Sequence, residues 1–306
     1  MQRFRGSLLS TPRYLRSVKF RGISSIANNI SDLHPLTFQS LNLAARNQLT
    51  TDRDVRYRSV FNMSRLTPSM LGTLAGLPSS NFTIYPHFLS TEEQEILLKA
   101  SLAKLGSRRR RRRHTSDVSS SESLARPEDI WSGIFGTDKD YNFEEGHFDG
   151  VIRDYREVTV SAWPQSYPPG LSGILLRLYE LIDSGSTTHD PGLITPPHIQ
   201  THILHLASTG VILPHIDNIE ASGSVIAGVS LGDTRVLRLT QSTVGSESLS
   251  FDVLLESGSV YIQRDDVRYK WKHEIPNTAD FHGLKVGGGQ RISIMLRDKY
   301  HPPNTK

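Results

Sequence analysis

The alternation of apolar and polar residues is regular in the second half of the chain and faint in the first. Short apolar stretches recur from Ile199 to Leu206, Ser224 to Leu231, Arg235 to Thr240, Phe251 to Glu256, Ser259 to Gln263, Tyr269 to Ile275 and Arg291 to Leu296. Each has strand length, and Gly-rich turns separate them. Upstream, Phe82 to Tyr85 reads as a strand ended by Pro86, and Phe148 to Ser161 alternates as a strand does. Two stretches have helical period instead. Ser90 with Glu93 three residues on makes a capping box, followed by an apolar stripe of Ile96, Leu97, Ala100 and Leu105. Leu171, Ile174, Leu175, Leu178, Leu181 and Ile182 form a second helical face, with Arg177 and Glu180 expected in solvent. The pattern predicts an α+β domain: a double-stranded β-helix (jelly-roll) core with flanking helices.

Candidate chemistry is concentrated in the strand-rich half. His215-Ile216-Asp217 places two ligands at i and i+2, on one face of a strand. A later histidine would complete a facial triad of two His and one carboxylate, the donor set of non-haem Fe(II) oxygenases. Zinc can use the same ligands. Both His273 and His282 stand between this motif and the final strand. The chain has no cysteine, so disulfides and thiolate metal sites are excluded. On the final strand Arg291, Ser293 and Arg297 share one parity and one face. An inward-facing arginine is costly unless an anion neutralises it, which a dicarboxylate held bidentately would do. An edge strand with both arginines in water remains the alternative for this stretch. His198, His202 and His205 read as polar strand positions rather than a second metal site.

From His205 to Arg297 the chain resembles the AlkB-like family of iron- and 2-oxoglutarate-dependent dioxygenases. The matching text is Pro214-His215-Ile216-Asp217, Ile226 to Gly232, Leu254 to Ile262, Arg268 to Ile275 and Arg291 to Arg297. His147-Phe148-Asp149 through Glu157 fits the mitochondrial branch of that family. The resemblance implies Fe(II) on His215, Asp217 and His273, with Tyr261, Arg291, Ser293 and Arg297 lining the 2-oxoglutarate site. His273 is preferred over His282 because it sits in the matching strand. Arg297 is expected at the distal carboxylate of 2-oxoglutarate, with the other arginine bracing the site near the metal. The implied reaction consumes O2 and 2-oxoglutarate and hydroxylates or demethylates a macromolecular substrate, RNA or protein. Roles in mitochondrial cell-death control and fatty-acid metabolism are implied on the same footing. A non-catalytic module binding metal and 2-oxoglutarate is the rival reading. Two departures stand out. Leu204 and Leu206 occupy places where nucleic-acid-repairing members carry an Asn-x-Tyr pair that grips 2-oxoglutarate. Ile219, next to Glu220, occupies the place of a base-contacting acid in bacterial AlkB. Both put direct repair of an alkylated base in doubt.

Composition and charge divide the 306 residues. Residues 1–31 hold Arg3, Arg5, Arg13, Arg16, Lys19 and Arg21 and no acid, the composition of a mitochondrial transit peptide. Residues 32–80 are weakly periodic and expected to be a poorly ordered linker. Residues 81–300 form the dioxygenase domain, interrupted at 106–126 by a disordered Arg/Ser-rich insertion, and 301–306 are a tail. The insertion carries six consecutive arginines, Arg108 to Arg113, a solvated run or a contact to RNA phosphates or anionic lipid. Lys and Arg number 35 against 31 Asp and Glu; without the leader's six basic residues and these six arginines, 23 face 31, a net charge of −8. The basic balance therefore belongs to two segments, and the acidic remainder is a poor platform for duplex nucleic acid. No apolar stretch approaches the ~18 residues of a membrane-spanning helix. The expected location is the mitochondrial matrix. Residues 1–35 fused to a fluorescent protein should enter mitochondria; diffuse cytosolic fluorescence would sink the leader assignment.

Overall fold

The structure is a computed structural model that describes residues 35–38, 60–62, 77–106, 131, 133–163, 169–182, 193–242 and 249–299. The leader, the tail and all of the Arg/Ser-rich insertion but Gly106 lie outside the described residues. Short strands β1 (Leu36–Thr37) and β2 (Phe61–Asn62) come first, then β3 (Phe82–Tyr85), helix α1 (Thr91–Lys104), β4 (Glu144–Gly146), β5 (Ile152–Val160) and helix α2 (Leu171–Glu180). There follow β6 (Ile199–His215), β7 (Val225–Gly232), β8 (Arg235–Gln241), β9 (Ser250–Leu255), β10 (Val260–Arg264), helix α3 (Asp265–Lys270) and β11 (Trp271–Ile275). The hairpin β12 (Thr278–Phe281) and β13 (Leu284–Gly287) precedes the last strand, β14 (Arg291–Asp298).

β12 and β13 pair only with each other, and the other twelve strands make one antiparallel sheet that curls on itself. Its order is β1-β3-β10-β7-β14-β6-β11-β8-β9-β2, with β5 joining β4 to β6. The 17-residue β6 is the shared strand. Its first half pairs with β14, from Ile199↔Asp298 to Leu206↔Arg291, and its end pairs with β11, as His215↔His273. Between those halves the chain bends at Gly210, where a Cβ would stand 2.7 Å from the Asp154 carbonyl oxygen on β5. The β5–β6 register shifts in the same place, between Arg153 and Tyr155. The extra residues of β6 there let one strand serve both halves of the curl.

Alternation then assigns the faces. Leu204, Leu206, Leu237, Leu239, Phe251, Tyr261 and Met295 pack inside the curl. Ile203, Val229, Ile292, Ile294 and Leu296 face outward and are covered by Leu97 and Leu98 of α1 and by Ile174, Leu175 and Leu178 of α2. Helix α1 begins at the expected capping box: Ser90 Oγ accepts from Glu93 N at 3.3 Å, and Ser90 N donates to Glu93 Oε2 at 2.9 Å. Glu93 also receives both terminal nitrogens of Arg177, at 2.8 and 3.0 Å. Arg177, expected in solvent, instead clamps α2 to α1, because the stripe that buries α2 brings this residue beside the first turn of α1.

The expected linker at 32–80 needs correcting where it is described. Residues 35–38 and 60–62 belong to the sheet: β1 pairs with β3, and β2 with β9. Phe38 and Phe61 are buried among Phe82 and Phe251, with ring centroids 5.6–6.4 Å apart. Two-residue strands carry no periodic signal, so only their non-local partners reveal them. The stretch Tyr269 to Ile275 also divides, with α3 turning the chain before β11 starts at Trp271. Phe38→Ala and Phe61→Ala should each lower the unfolding free energy by about 3–5 kcal/mol in urea titrations. An unshifted midpoint in both would return these residues to linker status.

Candidate active site

The β6–β11 pairing sets two imidazoles side by side, their planes inclined by 52°. His215 closes β6, His273 stands directly across the ladder, and their ring centroids are 4.2 Å apart. Asp217 follows two residues past the strand. Its Oδ1 lies 3.1 Å from His215 Nε2 and 3.5 Å from His273 Nε2. One ligand atom from each of the three residues falls within 4.8 Å of the others. The Leu213 carbonyl oxygen lies 2.9 Å from His215 Nδ1 and fixes the ring so that Nε2 faces the cluster. Among the described residues this is the group of His and carboxylates with metal-binding spacing. His282 is elsewhere, on the turn of the β12–β13 hairpin, with Nε2 3.0 Å from the Phe61 carbonyl oxygen. His202 bonds Glu157 at 3.1 Å. His205 is buried on the outer face, where Arg156 Nε donates to its Nδ1 at 3.0 Å. His202 and His205 are polar strand positions, as expected, whereas His198 stands on the turn before β6.

Charge is arranged around Asp217. Burial alone would raise its pKa, but the Arg297 guanidinium, with both histidines, holds it well below the usual carboxylate range. Arg297 Nε donates to Asp217 Oδ2 at 2.8 Å. Burial pushes His273 down to about 3, so it is neutral and ready to ligate at physiological pH. His215 behaves oppositely. Burial would lower its pKa, but the hydrogen bond and charge of Asp217 outweigh that and raise it. In the metal-free protein, the proton that competes with a cation therefore sits on His215.

The inner face of β14 continues away from this cluster. Arg291, Ser293, Met295 and Arg297 point inward, opposite Leu206, Leu204, His202 and Gln200 of β6 and Gly232, Ser230, Gly228 and Ile226 of β7. Both Leu204 and Leu206 line this wall, in the places of the missing Asn-x-Tyr pair. Tyr261 on β10 lies across from Gly228, where a Cβ would come within 2.5 Å of the phenol ring. Glycine is what lets the ring lie flat on β7. Its hydroxyl donates weakly to Met295 Sδ at 3.7 Å. Arg291 is 1% exposed, and its Nε donates to Ser230 Oγ at 3.0 Å, while Nη2 meets no acceptor. Burial lowers its pKa to about 10, so it remains a cation at neutral pH. A buried cation whose terminal donor has no partner among the described residues is suited to an anion. Arg297, expected at the distal carboxylate of 2-oxoglutarate, instead engages Asp217, six residues along the strand from Arg291. Sequence reasoning did not single out Gly228 or Ser230; their parity on β7, opposite Met295 and Ser293, was the available signal.

Comparison with known proteins decides what this donor set belongs to. The 2OG-Fe(II) oxygenase superfamily matches residues 81–297. The chain belongs to that superfamily. The mouse alpha-ketoglutarate-dependent dioxygenase alkB homolog 7, mitochondrial, is 30% identical over 216 residues, covering 70% of this chain and 76% of the mouse protein. Its bovine counterpart is 34% identical over 157 residues, covering 51% of this chain and 65% of that one. Among solved structures, that of OsALKBH1 overlaps 71% of this chain and 96% of its own, at 17% identity and a TM-score of 0.40. The oxygenase thus falls in the AlkB-like family with the alkB homolog 7 proteins, as the motifs between His205 and Arg297 implied. It is an oxidoreductase that uses Fe(II), 2-oxoglutarate and O2. The two imidazoles, one carboxylate and buried cation fit those groups.

The raised pKa of His215 and the lowered ones of His273 and Asp217 give the pH dependence of metal binding a sign. A cation must displace the proton of His215, so Mn(II) affinity should fall about tenfold per pH unit below the pKa of that residue. Calorimetry in buffers of different ionisation enthalpy should detect about one proton released per ion. Affinity that stays flat from mildly acidic to mildly basic pH would contradict this assignment.

Proposed function

We propose that the oxygenase hydroxylates or demethylates a macromolecular substrate, RNA or protein, in the mitochondrion. His215, Asp217 and His273 hold the iron, and Arg291 takes the distal carboxylate of 2-oxoglutarate. The observation that carries the reading is Arg291, a buried cation with a free donor on the same wall as the His/Asp cluster. Arg297 takes the role first expected of its neighbour and braces Asp217 near the metal. Tyr261 and Ser293 line the wall between the two arginines, and Leu204 and Leu206 leave that wall largely apolar and dry. When bound, iron with 2-oxoglutarate supplies the oxidising power, with succinate and CO2 as coproducts. The protein orients the cosubstrate and keeps bulk water from it.

A macromolecular substrate is supported by the rim of the site. Leu213 and Ile219, two residues outside either end of the His-x-Asp motif, are 38% and 54% exposed. Phe148 is 94% exposed on the β4–β5 turn, whose following residue Val151 accepts from Leu213 N at 2.8 Å. Apolar side chains gathered at one mouth are characteristic of contact with a large partner. The acid-free leader and the mitochondrial relatives support the location, and the matrix is the compartment such a leader serves.

Arg291→Ala should weaken 2-oxoglutarate binding about a hundredfold or more, since stranding one partner of a desolvated ion pair costs about 3–5 kcal/mol. Arg291→Lys should recover only part, for want of the bidentate fork. Calorimetry with Mn(II) in place of iron reads both. If Arg291→Ala binds 2-oxoglutarate as the wild type does, the cosubstrate assignment fails. Mass spectrometry of mitochondrial RNA and protein from cells carrying wild type or His215→Ala should reveal one species whose methylation or hydroxylation differs. Identical profiles in both pools would end the macromolecular reading.

A further inference from the structure

Asp217 lies beyond the end of β6, in a segment without strand partners that runs to β7. Nothing in the sheet ladder aims its carboxylate, so its direction depends on how the loop backbone is held. Asp298 of β14 holds the loop's far end, accepting from Gly223 N and Ser224 N at 2.8 and 2.9 Å, and one buried side chain holds the end beside Asp217. Arg268 of α3 is 1% exposed; its Nη1 donates to the Asp217 carbonyl oxygen at 3.0 Å. Its Nη2 donates to the Asn218 carbonyl oxygen at 3.1 Å and to Ser222 Oγ at 2.8 Å. A rigid guanidinium thus spans two consecutive peptide groups and closes the loop across Ser222.

We propose that Arg268 is a positioning residue for the metal site, fixing the backbone from which Asp217 reaches the ion. The proposal rests on reading His215, Asp217 and His273 as the ligands. Arg268 precedes His273 by five residues, through the last turn of α3 and the start of β11. One side chain therefore ties together the two segments that deliver the ligands. Arg297 holds the carboxylate of Asp217 by Oδ2, and Arg268 holds its backbone from the other end.

Electrostatics supplies a sign test. A guanidinium near a divalent cation repels it, so if Arg268 acted only through charge, removing it would tighten metal binding. A positioning role predicts the reverse. The full metal-free chain would be titrated with Mn(II) by calorimetry and with Co(II) by visible absorption. If wild type binds no Mn(II), or His215→Ala binds it equally well, the ligand reading itself is wrong. With that established, Arg268→Gln should lose about 10–100-fold in Mn(II) affinity, as buried supports of metal ligands do. Arg268→Lys should recover part of that, and Ser222→Ala, which removes one of three partners, should lose least. The Co(II) bands should shift or broaden in the same order. Thermal unfolding of the metal-free variants separates this from global damage; if Arg268→Gln does not fold, Arg268→Lys and Ser222→Ala decide the matter. Unchanged or tighter Mn(II) binding with a wild-type Co(II) spectrum in the folded variants would overturn the proposal.

Discussion

β6 joins the two halves of the curled sheet. Over Ile199 to Leu206 it is paired with β14, and at His215 it is paired with β11. A strand shared in this way puts Leu204 and Leu206, opposite Ser293 and Arg291, on the same continuous piece of backbone as His215. The extra residues of β6 opposite Asp154, Ala207 to Gly210, make that possible: a straight 17-residue strand would run past the other half of the sheet. Arg235 strengthens the bend. It is fully buried and donates to the Gly210 carbonyl oxygen at 3.3 Å and the Pro276 carbonyl oxygen at 3.2 Å, with the Asn277 and Gly289 carbonyl oxygens as further acceptors. The corner strand, the turn after β11 and the approach to β14 thus meet on one guanidinium.

Three buried arginines around this site have three kinds of partner. Arg235 gives both terminal nitrogens to backbone carbonyls, Arg268 gives both to carbonyls and one hydroxyl, and Arg291 gives Nε to Ser230 while Nη2 bonds nothing among the described residues. Desolvating a guanidinium is expensive in every case. The first two recover that cost within the fold. On the proposed reading the third leaves part of it to be recovered by a ligand through its terminal nitrogen, whereas Arg235 and Arg268 leave only Nε without a hydrogen-bond partner among the described residues.

Local features of the fold were legible in the sequence. The capping box at Ser90 and Glu93, the apolar face of α2 and the alternation of β7 to β10 and β14 depend on neighbours within a turn or a pleat. The His-x-Asp motif and the shared face of Arg291, Ser293 and Arg297 were legible for the same reason. Features set by distant partners were not. β1 and β2 exist because β3 and β9 offer edges, and the Arg177–Glu93 clamp joins residues 84 positions apart. The proposed division of labour between Arg291 and Arg297 differs from the one expected because parity fixes which face a side chain takes. It does not fix which end of the strand meets Asp217; that follows from where β6 stops.

The hydrogen bond from Arg297 to Asp217 bears on which ions the site would accept. Oδ2 is committed to the guanidinium, and Oδ1 alone faces the two imidazoles. Asp217 would therefore give a cation one oxygen, not two. Calcium, which draws on bidentate carboxylates to fill six to eight oxygen positions, would be poorly served by one carboxylate oxygen and two nitrogens. A transition ion content with nitrogen ligands would be held on one side only, with its remaining positions left to small molecules. An arginine that never touches the metal would in this way help decide which element sits there.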